Sequence, residues 1–276
     1  MDSQDPHNTP MDDLTVCYTT FNSMRTMPQS LDAARTLAKH IVVIDSGSTD
    51  GTIELCQSHG IEPTHRDWTT PTEQKTFAMS FCGETPWTLL LDSDETVLDD
   101  LVGTIRQALA NAEPDDCGFE LNRVTWLDGK PLRHTFQPEW RLRLVRSDAA
   151  VIKSDPSGVH DHIELTRGQT HRIEGTLRHD SWADAGDMLA RGVQWGVKTG
   201  RAAKRGGRVM NLCFNPAWSF LKQLLLKRAI LDGWRGWVAA AGVASQTLCK
   251  HIAIMERRGQ QRENDRKQTD SQPAED

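Results

Sequence analysis

The chain has 276 residues, 37% hydrophobic and 25% charged, which fits a soluble globular protein long enough for one large core or for a main domain with an appendage. Its six cysteines are scattered singly with no C-x-x-C pair, which argues against a disulfide framework or a zinc ribbon and for a reducing compartment. The net charge of −6 is unevenly spread: residues 1–120 carry 6 Lys+Arg against 21 Asp+Glu, whereas residues 121–276 carry 26 against 17.

In chain order, residues 1–12 (within "MDSQDPHNTPMDD") are acidic and polar, unlike a secretory leader, and read as disordered. "LTVCYTTFN" reads as a β-branched strand running into a polar turn, and "SLDAARTLAKH" as a helix opened by Ser30. "IVVIDSGSTDG" is a short buried strand breaking into a Ser/Gly/Asp loop, and "TIELCQSHG" is a helix closed by Gly60. "QKTFAMSFCG" is a further helix, "WTLLLDSDE" the next buried strand and "DDLVGTIRQALANA" the helix after it. Apolar strands alternating with helices indicate an α/β domain with a largely parallel sheet. Ligands of such sheets bind at the carboxyl ends of the strands. There the polar ends Thr20/Asn22, Asp45/Ser46 and Asp92/Asp94 would meet.

Beyond Asn111 the texture changes. "GFELNRVTWLDGKPL" is strand–turn–strand with Asp128-Gly129 as hairpin signal, and "EWRLRLVRS" alternates Trp140, Leu142 and Leu144 against Arg141, Arg143 and Arg146. From Ala183 the pattern is helical, with Trp237, Ala241, Ala244, Leu248, Ile252 and Met255 on one stripe. The stretch Arg191–Arg235 holds ten basic residues and one acid, Asp232, interleaved with Trp195, Trp218, Phe220 and Trp234, with Trp237 just beyond. That composition suits an anionic membrane surface. Nucleic acid is disfavoured, because no binding motif accompanies it and the acidic first half repels a polyanion. The run "GWVAAAGVASQTLC" is shorter than the ~20 residues of a membrane span. A cytoplasmic protein, peripheral at most, is expected. The tail from Gly259 is polar and reads as disordered.

The segment "LLLDSDETVLD" carries the chemistry. Where a strand runs out into a loop, residues i and i+2 can converge, and two carboxylates there repel unless a cation lies between them. Hard oxygen ligands suit Mg²⁺ or Mn²⁺. A strand followed by Asp-x-Asp-x-Thr also occurs in haloacid-dehalogenase-type phosphatases, and two solvated acids capping a strand is the plain structural alternative. A phosphatase of that type would use the Asp strand as its first element, whereas two good strands precede it here, and position 95 is Glu where such enzymes usually carry Gly.

"IVVIDSGSTDGT" followed some forty residues later by Asp-x-Asp at a strand end resembles the family 2 glycosyltransferases of the GT-A fold. "RDW" at 66–68, "RLRLVR" at 141–146, "VHD" at 159–161, "LRHDSW" at 177–182 and "LDGWRG" at 231–236 are similar to the branch of lipopolysaccharide core β-1,4-glucosyltransferases. The resemblance implies a GT-A domain over 13–190, a basic, aromatic helical appendage over 191–258 and a tail over 259–276. It implies an inverting transferase moving a hexose, glucose first, from a UDP-type sugar to a lipopolysaccharide-core or other glycolipid acceptor. Thr20 and Asn22 would lie beside the base, Asp45 would contact the uracil or ribose, Asp50 would shape that loop, and Gln74 and Lys75 would lie over the nucleotide. Asp92 and Asp94, chiefly Asp94, would hold Mg or Mn, with His179 as third ligand. Inversion needs a base opposite the leaving group, for which Glu139 stands first and Asp161 in reserve; pairing of Glu139 with Arg141 or Arg143 is the structural alternative. The family tends to have Glu at Ser23, Asn at Thr76 and Glu at Asp161, departures that bear on the acceptor. A catalytically silent GT-A domain acting as a membrane-associated binding module is the competing function.

Overall fold

Strand β1 (Met11–Thr20) buries Leu14 to Tyr18 without a break, as a strand covered on both faces must. It pairs parallel with β2 (Ala38–Asp45) on one side and β4 (Trp87–Asp92) on the other, and β2 pairs parallel with the short β3 (Thr64–His65). The structure is a computed structural model and describes residues 9–154, 161–203 and 208–270. The chain divides into two compact units, the first comprising Met1–Thr125 and Pro138–Asp180, the second Trp126–Gln137 and Ser181–Asp276.

In the first unit the helices α1 (Met27–Leu37), α2 (Thr52–Ser58), α3 (Pro71–Met79) and α4 (Asp99–Ala110) follow the strands as the sequence predicts. The sheet continues from β4 to β8 (Trp140–Arg146) and β6 (Asp116–Leu127), both antiparallel steps, then to β11 (Gln169–His179), parallel to β6, and β5 (Glu95–Val97), antiparallel to β11. It is therefore parallel in its first half and mixed in its second. Alternation along the strands sends Leu14, Val16, Leu89 and Leu91 to a core with α1, α2 and α4. Cys17, Ile44 and Leu90 go to the opposite face, under α3 and the paired strands β9 (Ala150–Ser154) and β10 (Asp161–Leu165). Helices on both faces of a mostly parallel sheet are the expected α/β architecture.

Four boundaries differ from expectation. Met11 already pairs with Ala38, so order begins inside the stretch 1–12 read as disordered. Helix α1 starts at Met27 with Pro28 in its first turn, a position that costs no hydrogen bond. Ser30 is consequently interior; its buried hydroxyl donates to the Glu95 carbonyl and meets the Tyr18 hydroxyl at 2.9 Å. The second unit takes in the hairpin 126–137 as well as the helices, so it is not simply the appendage after residue 190. Helix α7 runs Trp234–Asp270, past Gly259, because Gln, Arg, Glu and Lys are good helix formers even where no apolar face recurs.

Within the second unit, Asp128 and Gly129, both with positive φ, turn β6 into β7 (Lys130–Pro131) as the Asp-Gly signal requires. The "LDGWRG" stretch fastens this hairpin. Asp232 accepts from the amides of Arg133 and Thr135 at 3.0 and 2.7 Å and from the Thr135 hydroxyl, while Arg235 donates to the Leu127 carbonyl at 3.0 Å and to Asp128 at 2.6 Å. Helix α5 (Ala185–Ala202) carries Gly192, Gly196 and Gly200 at four-residue spacing, opposite Gly242, Gln246 and Lys250 of α7. Any Cβ at Gly196 or Gly200 would strike the Gln246 or Lys250 carbonyl. The packed face of α7 is thus built on Gly236, Ala239, Ala240, Gly242 and Ala253, and the stripe of Trp237, Leu248 and Ile252 points outward. By length and composition alone α7 passes as a membrane span over Trp234–Asn264, against the expectation drawn from the shorter uncharged run; 28% of that window is buried inside the protein.

Gly196→Leu should destabilise the second unit by about 1–3 kcal/mol, the usual cost of overpacking. Denaturant unfolding followed by circular dichroism measures it, and an unchanged midpoint would mean that α5 and α7 do not meet at this position.

Candidate functional site

The carboxyl ends of β1, β2 and β4 collect the polar residues that the sequence places there. At β1, Thr20 is buried with a hydroxyl that has no partner among the described residues. Asn22 takes the left-handed conformation, accepts from the Thr49 amide at 2.8 Å through its side chain and donates its own backbone amide to the Ser48 hydroxyl at 2.8 Å, so it latches the loop after β2. Asp45 is buried, and its carboxylate is spent on the same loop, accepting from the amides of Gly47 and Ser48 at 2.8 and 2.7 Å. Asp50 accepts from Met24 and Thr52; partial burial pushes its carboxyl up, but these hydrogen bonds outweigh it and hold it below the usual range. Gln74 of α3 is buried and donates to the Ser46 hydroxyl at 2.8 Å and the Arg66 carbonyl at 3.0 Å, leaving Oε1 with no partner among the described residues. Ser46 in turn donates its amide to Thr20. Two unsatisfied polar atoms therefore sit on one contiguous run, Thr20–Ser46–Gln74. Such atoms are costly unless a ligand's polar edge meets them.

Beside this run lies a network of buried ions. Lys75 Nζ is 2.7 Å from Asp92 Oδ1 and 2.9 Å from Asp161 Oδ2. The other Asp92 oxygen accepts from Arg143 Nη2 at 2.7 Å, and the same nitrogen reaches Glu95 Oε1 at 2.7 Å. Glu95 is wholly buried and also takes Arg123 Nη1 at 3.1 Å and the Asp92 amide at 3.2 Å. Arg123 continues to Glu139 at 2.6 Å, and Arg141 closes on the same Glu139 oxygen at 2.6 Å. Burial alone would raise the Asp92 carboxyl, yet Lys75 and Arg143 hold it far below the usual range. Burial alone would lower Lys75, but Asp92 and Asp161 reverse that and keep it charged.

Asp94 stands apart from this network. Strand β11 sets His179 opposite Glu95, which brings His179 Nε2 to 3.5 Å from Asp94 Oδ2. Burial works against ionising Asp94, and the hydrogen bond and charge of His179 overcome it, so its carboxyl is held below the usual range. A carboxylate and an imidazole facing one another suit a divalent cation that takes its remaining ligands from a phosphate or water. Among the described residues no three His, Cys, Asp or Glu side chains form a complete cage. Asp92 does not join Asp94 and His179 as a free ligand, since both its oxygens are already ion-paired.

A cleft of about 520 Å³ opens next to Asp92, lined by Lys75, Arg123, Arg143, Asp161 and Trp140 among others. Asp161 lines it and Glu139 does not. The Glu139 carboxyl, raised by burial but lowered further by Arg123 and Arg141, stays below its usual range and is a weak proton acceptor. The structural alternative thus describes Glu139 better than the base does, with Arg123 and Arg141 as partners instead of Arg143. Of the "VHD" stretch only Asp161 falls within the described residues. Arg143 is the residue sequence reading missed. Strict alternation put it on the outward set of β8, but it is buried. The signal available was the local excess of acid at 92–95, which needs cations from another strand.

Residues 15–161 match the family model described as "Glycosyl transferase family 2". An uncharacterized glycosyltransferase of Rickettsia typhi is 22% identical over 79% of this chain and 78% of its own length, and one of Rickettsia conorii is 27% identical over 79% and 81%. The lipopolysaccharide core biosynthesis glycosyltransferase LpsC of Rhizobium meliloti is 34% identical over 38% of this chain and 41% of its own. Among solved structures, glucosyl-3-phosphoglycerate synthase from Mycobacterium tuberculosis, in complex with Mg²⁺ and UDP, superposes with a TM-score of 0.35 at 16% identity over 41% of this chain and 44% of that one. A likeness that distant does not bear on the ligands of this chain.

Arg143→Met leaves Glu95 and Asp92 short of a buried cation and should cost about 3–5 kcal/mol, the usual loss when one partner of a buried pair is removed. Urea unfolding measures it, and a loss within error would show that Arg143 does not carry the network. Asp92, Asp94 and Glu139 all have folded pKa values below their unfolded ones. Their stabilisation is therefore complete above the ordinary carboxylate range near ~4 and is lost as pH falls through it toward the folded values. Unfolding measured from pH 7 down to 3 should show that decline.

Proposed function

Because the chain belongs to glycosyl transferase family 2, we propose that it moves a hexose, glucose first, from a UDP-sugar to a hydroxyl of a lipopolysaccharide-core or other glycolipid acceptor, with inversion. The observation that carries this reading is the pairing of Asp94 with His179 at the end of β4, beside the buried cations Lys75 and Arg143 and the unsatisfied polar run Thr20–Ser46–Gln74. The donor's base and ribose lie along Thr20, Asn22, Asp45 and Asp50, with the last three holding the loop that shapes this edge. Gln74 offers Oε1 to the nucleotide. Lys75 and Arg143 put fixed positive charge near the diphosphate, where charge develops as the sugar departs.

Asp94 and His179 are the residues that would hold Mg or Mn, with both oxygens of Asp92 engaged by Lys75 and Arg143. When bound, such a cation neutralises charge on the leaving diphosphate. Asp161 is the base on this reading. It lines the cleft next to Asp92, where an acceptor hydroxyl can reach it, and Lys75 fixes its position at 2.9 Å. The partial similarity to a lipopolysaccharide core biosynthesis enzyme supports the acceptor class. A lipid-borne acceptor suits a cytoplasmic protein working peripherally on the anionic face of the inner membrane, and the basic stretch from Arg191 supports that location. Lys204 and Arg205 of that stretch lie outside the described residues.

Isothermal calorimetry of UDP with and without Mn²⁺ tests the donor site. UDP affinity should rise with Mn²⁺ in the wild type, and Asp94→Ala should remove that gain while leaving the circular dichroism spectrum unchanged. Equal affinity in both conditions would overturn the metal assignment. Asp161→Asn should keep UDP affinity and lower transfer by ~10²–10⁴-fold, the usual contribution of a general base. An unchanged rate would remove Asp161 from that role, and UDP binding with no transfer to any glycolipid by the wild type would favour the silent binding module.

A further inference from the structure

The second unit carries a helix with a large exposed apolar face. Helix α6 (Met210–Leu221) has no buried residue. Toward α7 it presents polar groups beside the half-buried Phe220 ring: Asn215 Nδ2 is 2.8 Å from His251 Nε2, Ser219 Oγ is 3.1 Å from the Thr247 hydroxyl, and the Phe220 ring lies 6.0 Å from that of Trp237. Met210, Phe214, Trp218 and Leu221, spaced four, four and three apart, fall within an arc of about 80° at the 3.6-residue period, away from Asn215 and Ser219. They are between 47% and 64% exposed. The apolar surface does not stop at the helix end. Leu225 and Leu226, in the π turn Lys222–Leu226 that follows, and Leu231, in the 3₁₀ turn Ala229–Asp232, are each more than half exposed. A patch of this extent on a soluble surface marks an interaction site.

We infer that this face is a bilayer-insertion element: α6 and the two turns after it lie in the interface plane with their apolar side in the headgroup–acyl boundary. The charges around the patch select a lipid surface over a second copy of the chain. Exposed Arg208, Lys222, Lys227 and Arg228 border it, and from Met188 to Met255 the only acid is Asp232, whose carboxylate is occupied by Thr135 and His134. In a two-fold interface the patch would meet itself, setting these cations against their own copies with no carboxylate to relieve them. Against anionic headgroups the same cations are favourable, each by ~1 kcal/mol. Exposed Trp218, Trp234 and Trp237 supply the amphipathic rings that favour the headgroup level. The inference rests on the membrane-borne acceptor reading for its purpose alone, since UDP binding and transfer to a detergent-dispersed acceptor test that reading without vesicles.

The experiment uses the full chain with phosphatidylcholine vesicles, alone or with 30% phosphatidylglycerol, in 0.1 and 1 M NaCl. The chain should cosediment with both vesicle types, more tightly with the anionic one, and 1 M NaCl should weaken binding without abolishing it. Tryptophan emission should shift to the blue and be quenched by lipids brominated near the top of the acyl chain. The triple variant Phe214→Ser, Trp218→Ser and Leu225→Ser should lower partitioning by about 100-fold or more, with UDP affinity unchanged and with the circular dichroism spectrum and thermal unfolding of the wild type, which certify the fold of the second unit. Four results would overturn the inference: no cosedimentation with either vesicle; binding confined to anionic vesicles, abolished by 1 M NaCl and without quenching; a dimer in sedimentation equilibrium that the same three substitutions dissociate; or resistance to alkaline extraction, which would make α7 a span.

Discussion

Glu95 sits wholly buried beneath the carboxyl ends of β1 and β4, and a carboxylate in that position is tolerable only if cations and donors come to it. Arg143 from β8 and Arg123 from β6 do so, with the Asp92 amide completing the shell. The demand propagates. Once Arg143 is drawn in for Glu95, its second contact fixes Asp92, and Lys75 then balances Asp92 and Asp161 together. In the other direction Arg123 carries the balance to Glu139. The mixed second half of the sheet is thus more than cover for the parallel half, because its two arginines neutralise Asp92 at the end of β4 and Glu95 just beyond it.

That arrangement separates two carboxylates the sequence presents as equals. Asp92 is locked into a static lattice of ions, while Asp94 faces His179 on the far side of the same loop. One residue between them suffices, because the chain leaves the strand there and alternation no longer dictates direction. A site built this way holds one acid in place by ion pairs on both its oxygens, and leaves the other with a single imidazole facing it.

The motifs tied to backbone geometry were legible in the sequence. Apolar runs ending in Thr20, Asp45 and Asp92 gave the parallel strands, and Asp128-Gly129 gave the hairpin, since turn chemistry and strand burial are local. Partners across the sheet were not. Arg143 reads as outward because periodicity assigns faces without knowing which face is buried, and the step in register between Phe119 and Glu120 shifts the pairing of β8 with β6. The stripe Trp237–Leu248–Ile252 was found correctly as a stripe, but a large apolar face is ordinarily the packed one. Here three glycines on α5 let small residues take that role. Nothing in hydropathy distinguishes the two cases.

The glycine contacts between α5 and α7 have a topological side. Gly192, Gly196 and Gly200 meet Gly242, Gln246 and Lys250 in ascending order, so the two helices run in the same direction. Parallel neighbours cannot be joined by a short loop; the chain must travel back along the whole of α5, roughly 27 Å at 1.5 Å per residue. Among the described residues, 208–233 lie on that return leg, and α6 is its body. Having no glycine seam of its own to honour, it answers to few packing constraints. Its outer surface is therefore set by what it meets outside the protein, while the paired helices that it connects are held by what they meet within it.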